Sequence, residues 1–346
     1  MSKLILAVAL IFALAIPASA VEFTAPQVPE KGAELMPEDT GSFAAGLMEL
    51  LRDAVLGLRP DLKEASKVSL GVIAAVMMVS LLQSFSGSVK TVANLAGATA
   101  IAAGLLLSAN SLIRLGSQTV TEISEYGKLL LPVMTAAMAA QGGAASSTAL
   151  YAGTAMFDSV LSSLISRMLG PMVYLFLALS AANGAIGENI LGKLRDLVKN
   201  IVSWSLKAIL TVFTTYMTVT GVVSGTTDAA ALKATKVTIS SVVPVVGGIL
   251  SDASEAVLVS AGLMKNAAGI YGILAVLAVF LSPFLKIGVH YLILKLTAAV
   301  CGIFGEKGLT ELIGDFSTAM GLLLAMTGSE CLLLLISTVC FLKGVG

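Results

Sequence analysis

The only histidine in the chain, His290, stands one helical turn after Lys286, and Lys295 follows it. These side chains fall in or beside the apolar run 287–304, where an ionisable group is a functional candidate by default because hydrocarbon does not solvate charge. The competing reading places Lys286 and Lys295 near the interfaces and pairs His290 with a neighbouring helix. Glu330, in MTGSECLLLL, is a second candidate; alternatively it marks where the last helix meets a cavity or the interface. Asp158 and Arg167 flank a weakly apolar segment and read as structural contacts.

A second group of residues surrounds a break. VTISSVVPVVGGILSDASEAVLVSAG (237–262) is interrupted by Pro244 and by Gly247 and Gly248, then restarts at Asp252, whose spacing to Glu255 resembles a capping box. Proline removes a backbone donor and glycine favours a break. The exposed backbone polarity is tolerable at membrane depth only beside protein or water. The N–H groups of the returning half-helix point into the same region. The polar connector SGTTDAAALKATK (224–236) leads into it, with Thr227 or Asp228 able to cap a helix. Thr226, Thr227, Asp228, Pro244, Gly247, Gly248, Asp252 and Glu255 are therefore candidates for meeting a solute or a partner. The plainer alternative is that these eight residues only shape a compact hairpin.

Enzymatic chemistry finds no support. HExxH, a Walker A loop, a GxGxxG in a βαβ setting and a Gly-x-Ser-x-Gly elbow are all missing from the sequence. Cys301, Cys331 and Cys340 lie in apolar C-terminal segments without metal-ligand spacing, and read as small hydrophobes in helix packing. The expectation is a protein that is not an enzyme and carries no cofactor or metal.

The elements that would position these residues follow from composition. Of 346 residues, 57% are hydrophobic and 12% are charged, against about 25% charged in a soluble domain. Lys+Arg and Asp+Glu both number 21, so no basic excess draws nucleic acid. An ordinary soluble enzyme, a disordered chain and a nucleic-acid binder are excluded. Residues 1–20 read as a cleaved signal peptide: Lys3, an apolar stretch over 4–16, Pro17, then Ala18-Ser19-Ala20. Residues 21–45, with three prolines, read as an extended external segment. Residues 46–67 read as an amphipathic interfacial helix, and 68–346 as the polytopic membrane domain. About seven spans are expected, near 68–86, 92–113, 169–187, 201–223, 268–285, 287–304 and 318–342.

Two stretches do not fit a simple span. KLLLPVMTAAMAAQGG (128–143) is interrupted by Pro132, as 237–262 is by Pro244, and both read as broken or re-entrant hairpins. Pro132 and Pro244 are 112 residues apart, and so are Pro171 and Pro283. With LLRDAV (50–55), KLRDLV (193–198) and LTELIGDF (309–316) each preceding a long apolar run, an internal repeat around 128–187 and 237–304 is expected, as in transporter-like folds. The class is all-α. Lys193, Arg195 and Lys199 place the loop 188–200 in the cytoplasm by the positive-inside rule, against which Arg52, Arg59, Lys63 and Lys67 would then lie outside.

SEYGKLLLPVMTAAMAAQGG (124–143), SGTTDAAALKATK (224–236), VPVVGGILSDASEAVLVSAG (243–262), LKLTAAVCGIFG (294–305) and LLLLISTVCFLKGVG (332–346) resemble the stage III sporulation protein AE family of endospore-forming bacteria. The resemblance runs from MPEDT (36–40) to the last residue. It implies a multi-pass protein made in the mother cell and placed in the outer forespore membrane. There it would join the mother cell–forespore channel complex with other stage III sporulation membrane proteins of the same operon and a forespore-side channel protein. It would support late forespore gene expression as a permease-like or scaffolding subunit; the family carries no catalytic residues over. Two rivals are an autonomous secondary transporter of a small solute, which would need Lys286, His290 and Glu330 to converge on a midplane cavity, and a purely structural assembly platform.

Overall fold

A computed structural model describes residues 26–37, 42–83, 88–140, 144–186, 191–219, 267–304 and 307–343. Those residues are helical, with short turns and no strand. The helices are α1 (Glu30–Ala33), α2 (Phe43–Leu56), α3 (Arg59–Gln83), α4 (Ser88–Ala140), α5 (Ala144–Leu164), α6 (Gly170–Ile186), α7 (Gly192–Val219), α8 (Ala267–Gly302) and α9 (Lys307–Lys343). By length and composition, six stretches among the described residues are fit to cross a membrane: Phe43–Leu82, Val92–Ala139, Ser147–Ile186, Gly192–Met217, Gly269–Gly302 and Lys307–Leu342. All exceed the roughly 20 residues that a bilayer core requires.

Two of the seven expected spans are joined. Pro283 lies inside the continuous helix α8, so 268–285 and 287–304 are one element. Pro132 likewise lies inside α4, a helix of 53 residues, and does not interrupt it. A proline forfeits one helical hydrogen bond, but packed helices in a membrane protein tolerate the loss. Pro171 acts differently. It follows a π-helical turn, Ile165–Leu169, in which the Gly170 N–H donates to the Ile165 carbonyl five residues back. The turn moves the backbone out of the path of the proline ring and joins α5 to α6 without a loop. Pro171 is exposed, whereas Pro283 is buried, so these two landmarks of the expected repeat occupy different settings. Pro244 and the second expected hairpin, 237–262, lie outside the described residues.

Near the N-terminal end, α2 stops at Leu56 and α3 starts at Arg59, so the expected 46–67 helix is divided by a turn at Gly57 and Leu58. Pro60 falls in the first turn of α3, where its missing N–H has no intrahelical acceptor to lose.

Helix α9 is the hub. Every residue from Ala319 to Leu335 is buried, as expected of a helix that is apolar all round. It packs against α4, α5, α6, α7 and α8, while α8 also covers α1, α2 and α3. The outer helices turn apolar side chains outward: Leu70, Leu107, Trp204, Leu292 and Leu296 are all exposed. Such faces suit lipid rather than water. Between helices, hydroxyl groups bond across the seams. Ser69 Oγ and Thr297 Oγ1 are 2.5 Å apart between α3 and α8, and Ser317 Oγ donates to the Tyr291 carbonyl at 3.0 Å between α9 and α8.

Candidate functional site

Three helices meet around a pair of acids. On α4, Ser124, Gly127 and Lys128 share a face through their i, i+3 and i+4 spacing. Thr154 and Asp158 do the same on α5, and Glu330, Leu334 and Ser337 on α9. Asp158 and Glu330 face each other across the α5–α9 seam; Glu330 is 0% exposed and Asp158 2%. Ser124 Oγ donates to Asp158 Oδ2 at 2.7 Å. One turn from Asp158 along α5 and two from Glu330 along α9, Thr154 Oγ1 donates to Ser337 Oγ at 2.9 Å. Asp158 Oδ1 and both Glu330 carboxylate oxygens accept no hydrogen bond. Gly127 makes the close approach possible: a Cβ there would stand 3.1 Å from Leu334 Cδ1 and 3.7 Å from Asp158 Oδ1. Lys128 is the cation facing both acids, and it lies exposed at the rim.

Glu330 was thus a sequence candidate, but its partner was read only as a structural contact. The available signal was the position of Asp158, an isolated acid inside a long apolar stretch. What the sequence does not carry is the pairing, because nothing local to Asp158 points to Glu330.

The other intramembrane candidates are elsewhere. Lys286 Nζ pairs with Asp61 Oδ2 of α3 at 3.7 Å. His290 Nδ1 is 3.0 Å from the Lys286 carbonyl, and its ring borders a cavity of about 10 Å³ lined mostly by apolar side chains such as Leu105, Leu112, Phe316 and Met320. That is room for about one water. Met320 and Glu330 are ten residues apart on α9, about 15 Å along the axis. Lys286 and His290 therefore do not converge with Glu330. Lys295 Nζ donates to Tyr291 Oη at 3.2 Å, beside an open groove of about 440 Å³ that Thr310, Gly314 and Ser317 also line. Thr226, Thr227, Asp228, Pro244, Gly247, Gly248, Asp252 and Glu255 lie outside the described residues.

The amphipathic segments that echo each other in sequence also touch. Arg195, in the first turn of α7, donates from Nη1 to Asp315 Oδ2 near the start of α9 at 2.6 Å, with both side chains largely buried. Among the described residues, no three His, Cys, Asp or Glu side chains gather as a metal site.

The family model described as stage III sporulation protein AE matches residues 41–344. Stage III sporulation protein AE of Bacillus subtilis (strain 168) is 26% identical over 199 residues, covering 57% of this chain and 50% of that protein. The match thus spans about half the length of that curated relative. No solved structure matches the chain.

Proposed function

Because this chain belongs to the stage III sporulation protein AE family, we propose that it is a membrane subunit of the channel complex joining mother cell and forespore. In this reading it sits in the mother-cell membrane around the forespore. It assembles there with other stage III membrane proteins of its operon and with a forespore-side channel protein. It supports late forespore gene expression, and neither catalysis nor a cofactor is assigned to it.

The observation that carries the reading is the family match over 41–344 on a chain whose described residues include six helices fit to cross a membrane. Within the complex, a scaffolding role suits the packing better than a pore through this single chain. The hub helix α9 is enclosed by its own neighbours over Ala319–Leu335, which leaves the outer helices for lipid and partner subunits.

The test is affinity purification of the tagged full chain from membranes of sporulating cells. The sibling membrane proteins and the forespore partner are expected to co-purify. Recovery of this chain alone, from cells in which the siblings are present, would contradict the proposal.

A further inference from the structure

The buried acids carry an inference independent of the sporulation reading. Asp158 Oδ1 and both Glu330 oxygens are acceptors sealed between α4, α5 and α9, and no N–H or hydroxyl among the described residues donates to them. Two carboxylates in contact repel, and each loses its hydration on burial, so the doubly charged pair is strongly disfavoured. A metal ion does not resolve it. A hard divalent cation asks for six or more oxygens, and no third acid, His or Cys joins the pair among the described residues. One proton does resolve it, because it turns one carboxyl into the donor that the other lacks.

We propose that Asp158 and Glu330 form a proton-binding site, in which one proton held between the two carboxyl groups closes the seam between α5 and α9. Ser124 fixes Asp158 by donating to Oδ2, which leaves Oδ1 for the shared proton. Gly127 lets α4 close over the pair, against Leu334 of α9 and Asp158 of α5. The titratable group facing the pair is Lys128 of α4 at the rim; Cys331, next to Glu330 in the chain, does not join the two acids in a ligand cluster. Loss of the proton would place two anions in the seam and drive it apart.

The test is infrared spectroscopy of the full chain in lipid vesicles at neutral pH. Wild type is expected to show a protonated-carboxyl C=O band, shifted in heavy water, that amounts to one group per chain. The double variant Asp158→Asn, Glu330→Gln should remove it. A difference spectrum without that loss in the correctly inserted double variant would overturn the proposal. So would a band that appears only after sodium and potassium are withdrawn, since the pair would then hold a cation. Should a variant fail to insert, wild type alone decides. Raising the pH must abolish one such band per chain, and its absence at neutral pH contradicts the site.

Discussion

Arg195 and Asp315 show how much a single contact weighs in this chain. Their side chains are 11% and 14% exposed and meet at 2.6 Å, so removing Arg195 strands a largely buried acid, and removing Asp315 leaves Arg195 only the exposed Asp196 at 3.5 Å. Such losses run to about 3–5 kcal/mol. Arg195→Ala and Asp315→Ala are each expected to lower stability by that order, whereas the double variant loses clearly less than the sum. Thermal unfolding of the four proteins in one detergent measures the cycle; additive losses would mean that the pair is not coupled. Both residues lie inside amphipathic segments that echo each other in sequence, but their partnership is not legible there. Glu330 was likewise legible as an acid in an apolar run, while Asp158 was legible only as an acid. Contacts between residues far apart in the chain depend on helix packing, which hydropathy does not encode.

Helix packing also explains which elements were legible. Apolar runs of suitable length became helices, and α9 was buried as its all-round hydrophobicity requires. The break at Pro132 was overread, because that proline was weighed as it would be in an isolated helix, whereas α4 runs through it. Pro132→Ala should therefore restore a hydrogen bond to α4 and raise thermal stability, by up to about 3 kcal/mol. A large loss would indicate that the proline serves a needed break. Close contact between α5 and α7 makes the opposite case. Gly153 lies under the Tyr216 ring, whose hydroxyl donates to the Ala149 carbonyl at 2.9 Å. The ring is also pinned against Phe157, at 5.9 Å between centroids. An added methyl at 153 would overlap the ring, so Gly153→Ala should cost about 1–3 kcal/mol by overpacking. Unfolding measurements would read it, and an unchanged midpoint would contradict the packing.

At the scale of the molecule, the sequence indicated a helical membrane protein of a known sporulation family, and both statements hold at that level. The expected pseudosymmetry drew on proline spacing, and the local settings of Pro171 and Pro283 already differ. The order of charged, apolar and small residues in 1–20 predicts cleavage after Ala20. N-terminal sequencing of protein extracted from membranes should then begin at Val21, and an intact Met1 would contradict this. The central claim is that the chain builds a sealed helical core around α9 and serves the channel complex from its outer surface. Electron cryo-microscopy of the purified complex tests it most directly. The account predicts that this chain is present, with Ala319–Leu335 enclosed by its own helices and its outer helices against lipid or partners; α9 facing the lumen, or a complex assembled without the chain, would contradict it.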